Sequence, residues 1–451
     1  MEKGYVDVLL GLQWGDEGKG KIVDYLSPQY DIIARFQGGP NAGHTLYVKN
    51  KEGKQERIVL HVVPSGLTRE DELMGVLGNG MVICPIAFKD EIKNIFDITG
   101  IDVCEKLIIS TNAHMIVPTH RLLDKASEIA KGKGAIGTTG KGIGPCYMDK
   151  AGRNGIRFES LIDLSKFNEE YLRLENKHRE ILKQQYGYTD EQINAEIKEQ
   201  CYSFKRSILF IRRKMIRQIK RTEYWLNEQI REGKKVLAEG AQGTMLDIDH
   251  GTYPFVTSSS TIAGGACTGL GISPLLIRKV IGVTKAYCTR VGNGEFPTEI
   301  TDQVGEQIRK DGNEFGSTTG RPRRCGWMDF PALEYSFLIN GVTDLIITKI
   351  DVFKNLSGFK VCSEYMVQDK VSREYPVDCD KALPLYELFE FNEHERMNLG
   401  NITDEEEFGK GVKQFIFFMR LKLENTGVQL AGISNGPECE KYIDIKSLQT
   451  V

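Results

Sequence analysis

Short apolar runs alternate with helical patterns along most of the chain. The apolar runs lie at 6–10, 31–36, 58–63, 81–84, 107–109, 235–238, 280–283, 345–351 and 428–433. Runs of this length, rich in valine, isoleucine and leucine, predict buried strands. Residues 21–26 and 90–98 have helical apolar spacing between such runs. The alternation predicts an α/β fold with a doubly wound, mostly parallel central sheet.

A highly charged segment at 167–233 interrupts this alternation. Apolar residues recur in it at helical spacing, at Ile208, Ile211, Met215, Ile219 and Leu226. This pattern predicts helices with one apolar stripe and solvated faces elsewhere. Residues 188–190 predict a break between two of these helices. We expect a helical insertion that carries no catalytic residue.

Composition narrows the classes of protein that remain possible. The net charge is −3 and 27% of residues are charged, so no overall field favours a nucleic acid or a membrane surface. The ten cysteines are scattered, with no C-x-x-C pair, which favours reduced thiols over a disulfide framework or a zinc site. No apolar stretch reaches membrane-spanning length. These features predict a cytoplasmic enzyme.

The segment Gly15–Lys21 follows the first predicted strand and leads into a predicted helix. A strand, a glycine-rich turn and a helix start present backbone N–H groups to a phosphate. The segment is not a standard Walker A motif, because Lys19 and Lys21 are followed by Gly20 and Ile22 and no hydroxyl is present for magnesium. Asp16 among these groups needs a metal to bind or a proton to remove. A soluble surface turn remains the alternative.

Two further glycine-rich segments follow predicted strands. Residues 37–45 contain His44, and we expect their loop to lie beside 15–21 at the carboxyl ends of neighbouring strands. Residues 131–157 include six glycines between 132 and 144, which do not form a stable helix interior. Thr138 and Thr139 suit a phosphate monoester, and a flexible loop is equally favoured. We expect a polar hairpin at 48–57 without chemistry.

Later loops add anion-binding and base-binding patterns. Residues 321–324 contain three arginines beside proline and glycine, and arginine forks match carboxylates and phosphates. The strand ending in Thr348-Lys349-Ile350-Asp351 is similar to the guanine-reading motif of GTP-binding proteins. There a carboxylate accepts from two adjacent guanine donors, which adenine does not offer on that edge. The loop 434–437 can present backbone groups to a base. Each motif alone is weak.

Together these motifs closely resemble the adenylosuccinate synthetase family. They are Gly-Asp-Glu-Gly-Lys-Gly-Lys at 15–21, Gly-Pro-Asn-Ala-Gly-His-Thr at 39–45, Gly-Thr-Thr-Gly-Lys-Gly-Ile-Gly-Pro at 137–145, Glu-Gly-Ala-Gln-Gly at 239–243, Asp-His-Gly-Thr-Tyr-Pro at 249–254, Ser-Thr-Thr-Gly-Arg-Pro-Arg-Arg at 317–324 and Thr-Lys-Ile-Asp at 348–351. They occur in the family's order within 6–437. The hairpin at 48–57 and the helical region near 180–200 look longer than in the family, and Lys141 replaces a frequent arginine.

The resemblance implies a fold and an activity. The fold is a single large P-loop-like α/β domain spanning 1–451, with a helical insertion near 167–233 and long ligand-binding loops. The activity is the GTP-dependent joining of IMP and L-aspartate to adenylosuccinate, with GDP and phosphate released, through a 6-phosphoryl-IMP intermediate. The resemblance further implies one Mg²⁺ per subunit, GTP as co-substrate and a homodimer.

The resemblance also implies roles for individual residues. Catalytic roles fall on Asp16 as the base, His44 as the general acid, Lys19 and Gln242. GTP contacts fall on Gly15, Asp16, Glu17, Gly18, Lys19, Gly20, Lys21, Gly43, His44, Thr45, Arg323, Lys349, Ile350, Asp351, Ser434, Asn435 and Gly436. IMP contacts fall on Asp16, Glu17, Gly18, Lys19, Asn41, Ala42, Gly43, His44, Thr139, Arg153, Gln242, Thr257 and Arg321. L-Aspartate contacts fall on Ser317, Thr318, Thr319, Gly320, Arg321, Pro322 and Arg323. The resemblance implies that Asp16 and the Gly43 carbonyl bind magnesium and that the other subunit supplies Arg153.

Two other classes of protein share some of these features. A GTP-regulated switch protein also has a phosphate loop and a Lys-x-Asp motif, but lacks the second anion-binding set that the threonine and arginine loops provide. A nicotinamide-dependent oxidoreductase needs G-x-G-x-x-G after a strand, and the spacing of Gly15, Gly18 and Gly20 does not match it. The sequence therefore favours the ligase.

Overall fold

The structure is a computed structural model that describes residues 3–69, 72–316 and 320–446. Its strands are β1 Tyr5–Gly11, β2 Ile32–Arg35, β3 His44–Lys49, β4 Gln55–Leu60, β5 Met74–Leu77, β6 Val82–Ile83, β7 Leu107–Ser110, β8 His114–Met115, β9 Ile219–Lys220, β10 Lys235–Glu239, β11 Ile277–Lys285, β12 Tyr287–Arg290, β13 Arg324–Asp329, β14 Asp344–Thr348, β15 Gly358–Val367, β16 Lys370–Ser372, β17 Ala382–Glu390, β18 Gln429–Ser434 and β19 Tyr442–Asp444. Its helices are α1 Lys19–Leu26, α2 Pro85–Thr99, α3 Pro118–Lys131, α4 Ile143–Ala151, α5 Leu164–Tyr186, α6 Asp190–Met215, α7 Thr222–Arg231, α8 Ala263–Leu270, α9 Gln303–Asp311, α10 Phe330–Asn340, α11 Glu393–Asn398 and α12 Lys410–Leu423.

A ten-stranded sheet forms the centre of the molecule. Its order is β19-β18-β14-β11-β1-β10-β2-β5-β7-β9. All its neighbouring strands are parallel except β18 and β19. The mostly parallel α/β sheet that the sequence predicts is therefore confirmed. A smaller sheet joins β12, β13, β15, β16 and β17.

Helices cover both faces of the central sheet, which explains why its strands are almost continuously apolar. Along β1, Val6 and Val8 belong to one buried cluster and Leu9 to the cluster on the other side. The first cluster includes side chains of α10 and α12, and the second includes side chains of α1, α2 and α6. A strand covered on both faces needs apolar side chains in both directions.

Several predicted strands have a different place from the one expected. The run 58–63 contributes to β4, which pairs with β3 in a hairpin, and 81–84 contributes β6, which pairs with β8. The sequence missed β5, a short strand that contains Gly75. An added Cβ at Gly75 would lie 2.3 Å from Leu67 Cδ1, so close packing rather than a turn explains this glycine.

Two expectations about loops are wrong. The strands β1 and β2 are not neighbours, because β10 lies between them. The glycine-rich segment at 131–157 is not irregular throughout, because 143–151 form α4. Only the first half is rich in glycine, and the residues from Cys146 to Ala151 can all adopt helix. In the segment 167–233, the predicted break at 188–190 separates α5 from α6, but the segment also contributes β9 to the sheet.

Candidate functional site

A cavity of about 950 Å³ lies at the carboxyl ends of the central strands. The segments that follow β1, β10 and β14 line it, together with the end of β18 and residues of α4 and α5. The predicted residues that line it are Gly15, Asp16, Gly18, Lys19, Gly20, Lys21, Asn41, Ala42, Gly43, His44, Thr45, Thr139, Gln242, Thr257, Arg323, Lys349, Asp351, Ser434 and Gly436. Motifs far apart in sequence therefore meet at one site, as expected for the open edge of a parallel sheet.

The side chain of Glu17 fixes the conformation of the loop after β1. Gly15, Asp16 and Gly18 have positive φ angles of 89°, 60° and 85°. The buried Glu17 carboxylate accepts hydrogen bonds from the Gly15 N–H at 2.8 Å and the Gln13 N–H at 3.2 Å. Glu17 thus lies beneath the loop and shapes it, and helix α1 begins two residues later, at Lys19.

The two lysines of this loop contact different parts of the site. The Lys19 ammonium donates to Glu17 Oε2 at 2.5 Å and to the Gln242 carbonyl. The Lys21 ammonium donates to Ser434 Oγ at 2.5 Å and to the carbonyls of Gly436 and Lys441 at 2.7 Å. Burial lowers the pKa of Lys21 to about 8. Lys21 therefore joins α1 to the loop that follows β18, a contact that the sequence did not predict.

His44 is the first residue of β3 and is buried against the phosphate loop. An added Cβ at Gly20 would lie 2.7 Å from His44 Cβ, so this approach requires glycine. His44 Nδ1 lies 2.5 Å from Glu239 Oε1 and 3.2 Å from Ser65 Oγ. Burial lowers the pKa of His44, while Glu239 opposes that change. Because the carboxylate fixes Nδ1, the other ring nitrogen remains for a ligand.

Glu239 is a site residue whose role the sequence did not reveal. It ends β10, the strand that separates β1 from β2, and its Oε2 accepts from the Ser65 N–H at 2.9 Å. Burial favours the neutral acid, but His44 and other neighbouring groups hold the pKa of this carboxyl below its ordinary value. Glu239 is part of the motif at 239–243. Its contact with His44, however, can be recognised only when the strand order is known.

A chain of charges links the phosphate loop to the end of β14. Arg323 Nε lies 3.0 Å from Asp16 Oδ2, and Arg323 Nη1 donates to Glu314 Oε2 at 2.5 Å. The Lys349 ammonium donates to Glu314 Oε1 at 2.6 Å and to the Gly312 carbonyl at 3.0 Å. Sequence reasoning did not identify Glu314, because an isolated glutamate after a helix carries no pattern.

Two buried acceptors on the cavity wall have no partner among the described residues. They are Asp351 Oδ1, after β14, and Gln242 Oε1, after β10. Burial raises the pKa of Asp351. Because a buried acceptor without a donor costs free energy, both atoms indicate where a ligand with N–H groups binds.

Other predicted residues lie away from the cavity lining. Ile350 is buried in the core, and Asn435 donates to the carbonyls of Leu399 at 3.0 Å and Ile402 at 2.8 Å, which holds its loop. Gly320, Arg321, Pro322 and Arg153 are exposed. Arg324 pairs with Glu299 at 2.5 Å, so this arginine already binds a carboxylate of its own chain. Ser317, Thr318 and Thr319 lie outside the described residues.

One cluster of metal-ligating side chain types, His120, Asp149 and His178, lies beside the cavity within the described ranges. His120 Nδ1 accepts from the Val117 N–H at 3.0 Å, so Nε2 carries the hydrogen and donates to Asp149 Oδ2 at 3.0 Å. The Lys177 ammonium donates to the other Asp149 oxygen at 2.7 Å. This hydrogen-bonding pattern joins α3, α4 and α5 and leaves His120 no lone pair for a metal.

A parallel sheet with a glycine-rich turn after a central strand and a Lys-x-Asp pair at a nearby strand end defines an α/β nucleotide-binding enzyme. The model of the adenylosuccinate synthetase family matches residues 8–443, and this chain belongs to that family. The adenylosuccinate synthetase of Parabacteroides distasonis is 47% identical over 441 residues, covering 97% of this chain and 98% of that relative. The one from Porphyromonas gingivalis is 47% identical over 446 residues, covering 98% and 99%.

A solved structure agrees with these relatives. It is described as the fully ligated adenylosuccinate synthetase from Plasmodium falciparum, and it matches with a TM-score of 0.88 at 36% identity, covering 98% of this chain and 100% of that one. The chain is therefore a ligase of purine nucleotide synthesis that joins IMP and L-aspartate and uses GTP. The family, fold class and reaction predicted from the sequence are confirmed. No helix within the described ranges is long and apolar enough to cross a membrane.

Proposed function

We propose that the reaction takes place in the cavity at the strand ends, with GTP and IMP bound side by side. The observation that carries this proposal is that one cavity holds both Asp351, with its unpartnered carboxylate oxygen, and the pair Asp16 and His44. Guanine supplies the two adjacent donors that a carboxylate such as Asp351 can accept. The glycine-rich loop then follows the phosphates from the base towards Asp16.

The chemistry requires activation of IMP before the amine attacks, because the C6 oxygen is a poor leaving group. Asp16 removes the N1 proton of IMP, which makes O6 nucleophilic, and O6 takes the γ-phosphoryl group of GTP. The amine of L-aspartate then displaces phosphate from C6. Lys19 and His44 stabilise the charge on the transferring group, and Glu239 orients His44. The Gln242 amide, with its free acceptor, faces IMP.

The donor set beside the phosphate loop fits magnesium. The Asp16 carboxylate and the Gly43 carbonyl both line the cavity, and Mg²⁺ prefers oxygen ligands from one or two protein groups together with phosphate. When bound, one Mg²⁺ per subunit neutralises negative charge on the phosphates of GTP.

The remaining predicted roles concern further contacts with IMP and L-aspartate. Thr139 and Thr257 line the cavity and contact IMP, and the loop of 317–323 binds L-aspartate, with Arg323 placed next to Asp16. Arg153 is exposed at the end of α4 with a φ of 61°, and it is not among the described residues of the cavity wall. We infer that it serves the IMP site of a second subunit in a homodimer.

We also infer that residues 1–451 act as one domain. Phe167 of α5 and Phe204 of α6 belong to the same buried cluster as Ile33 and Leu237 of the central sheet. The helical region therefore shares a core with the sheet, and α5 adds Lys177 and His178 to the cavity wall. The expectation that this region has no catalytic residue stays a prediction.

The proposed route is tested with IMP that carries heavy oxygen at O6. Ultraviolet absorbance follows adenylosuccinate formation with L-aspartate, magnesium and either GTP or ATP. We expect product with GTP, little with ATP, and one labelled oxygen in each phosphate released. Unlabelled phosphate would overturn the phosphorylated intermediate. Phosphate release from GTP without IMP and L-aspartate would favour a switch-like GTPase cycle.

A further inference from the structure

Glu314 is a buried carboxylate at the base of the loop between α9 and β13. Its side chain is fully buried. Its main chain is also fixed, because its N–H donates to the Arg309 carbonyl at 2.8 Å and its carbonyl accepts from the Arg323 N–H at 2.9 Å. The side chain therefore has one defined position from which it can hold its neighbours.

Three cations surround this single carboxylate. Oε1 accepts from Lys349 at 2.6 Å and lies 3.4 Å from the buried Lys285 ammonium, while Oε2 accepts from Arg323 at 2.5 Å. The Tyr287 hydroxyl donates to Oε1 at 2.6 Å. Burial opposes ionisation, but the three cations hold the pKa of Glu314 well below its ordinary value. A neutral side chain here leaves buried cations without their counter-charge.

The two outer cations come from different segments of the chain and meet at the two oxygens of this carboxylate. Lys349 precedes Asp351, the proposed guanine reader, and its main chain has a left-handed φ of 63°. Its ammonium donates to Glu314 and to the Gly312 carbonyl. These two contacts fix the end of the side chain beside the cavity. Arg323 is held between Glu314 and Asp16 at the reactive end. Both side chains line the cavity, whereas Glu314 is not part of its described wall.

We propose that Glu314 is a positioning residue that couples the guanine end of the cavity to the end where Asp16 and L-aspartate meet. This inference rests on the proposed function, which places GTP and L-aspartate at these ends. Without the Glu314 charge, Lys349 and Arg323 lose their common anchor together. The binding of GTP and of L-aspartate should therefore weaken together, although Glu314 contacts neither.

The test uses Glu314→Gln, which keeps the shape of the side chain and removes its charge. We expect the KM for GTP and the KM for L-aspartate each to rise roughly tenfold or more, as for loss of one charged hydrogen bond. The KM for IMP should change much less, because Thr139, Thr257 and Gln242 do not contact Glu314. Unchanged KM values for GTP and L-aspartate would overturn the inference.

A double variant separates positioning from general disruption. Lys349→Met removes the ammonium and keeps the stem. If Glu314 acts on GTP through Lys349, Glu314→Gln adds little to the GTP defect of Lys349→Met, because contacting residues are not additive. Full additivity would overturn the coupling. If Lys349→Met itself leaves GTP use unchanged, the assignment of the guanine site fails. If Lys349→Met raises the KM for GTP and Glu314→Gln does not, only this inference is overturned. The assignment of the guanine site then stands.

Asp7→Asn is the matched control. Asp7 is also a fully buried carboxylate with an arginine and a tyrosine as partners, Arg278 Nη2 at 2.5 Å and the Tyr30 hydroxyl at 2.7 Å. It lies near the amino end of β1, at the edge of the sheet opposite the cavity. We expect Asp7→Asn to lower Tm without moving the three KM values. Equal KM changes in both variants would make Glu314 an ordinary structural ion pair.

Discussion

Asp351 has the sharpest individual expectation, because its Oδ1 is buried and has no donor among the described residues. Guanine offers N1–H and an exocyclic amine to this carboxylate, and xanthine offers an acceptor in place of the amine. Asp351→Asn should therefore raise the KM for GTP by roughly ten- to a hundredfold and improve the use of xanthosine triphosphate. Steady-state kinetics with both nucleotides measure this exchange.

Asp344→Asn serves as the control for that exchange. Asp344 starts the strand β14 that leads to Asp351, and its partner is Lys279 at 2.9 Å, at the end of the strand far from the cavity. It should leave the preference between the two nucleotides unchanged. If Asp351→Asn uses GTP as well as the parent protein, Asp351 is only a charge after a strand.

The placement of a residue at the site was predictable where the residue lies in a motif and hidden where it depends on topology. Asp16, His44 and Asp351 follow from glycine-rich turns and a strand end in the sequence. Glu239 was hidden because its contact with His44 requires β10 to lie between β1 and β2, and no local pattern encodes strand order. Glu314 was hidden for the same reason, since its partners come from three separate segments.

Elements were predictable where the apolar pattern is long and uniform. The runs that form β1, β10 and β18 are buried on both faces. Their sequences are therefore mostly apolar, and this pattern predicts strands directly. The short strand β5 was missed because Gly75 weakens the pattern, although Leu67 packs there. The helix α4 was missed because glycines dominate the preceding residues. At β5, tertiary packing rather than local preference decides the structure.

The junction of α3, α4 and α5 should make stability depend on pH. His120 lies on α3. It faces three ionisable groups, Asp149 on α4 and both Lys177 and His178 on α5. Burial lowers the pKa of His120 to about 4, whereas an unfolded histidine titrates near 6.5. The unfolded chain therefore binds the proton first, and stability is lost as pH falls from about 6.5 towards 4. The loss amounts to about 2 kcal/mol at pH ~5.

Thermal unfolding of the wild type and of His120→Asn checks this dependence. Asparagine can still accept from the Val117 N–H but does not titrate. We expect the variant to have a lower Tm at neutral pH and a smaller further fall in Tm on acidification. An equal fall in both proteins would mean that other groups cause the acid sensitivity.

We expect the whole molecule to work as a dimer in which Arg153, which is exposed and absent from the described cavity wall, serves the partner's site. It is exposed at the end of α4, where Asn154 and Gly155 close the turn by donating to the Asp149 carbonyl at 2.8 and 3.1 Å. Arg153 itself has a left-handed conformation in this turn, with a φ of 61°. Asp16, by contrast, lies inside the cavity of its own chain.

Mixing two inactive variants tests this shared site. Asp16→Ala and Arg153→Leu should each be nearly inactive alone. In a mixed dimer, one site carries both lesions, and the other has an intact Asp16 from one chain and an intact Arg153 from its partner. Random reassortment of equal amounts makes about half the dimers mixed, so activity should return to roughly a quarter of wild type. If Arg153 served its own subunit, every site would carry one lesion. No recovery in mixtures that have demonstrably exchanged subunits would leave Arg153 as a local contact.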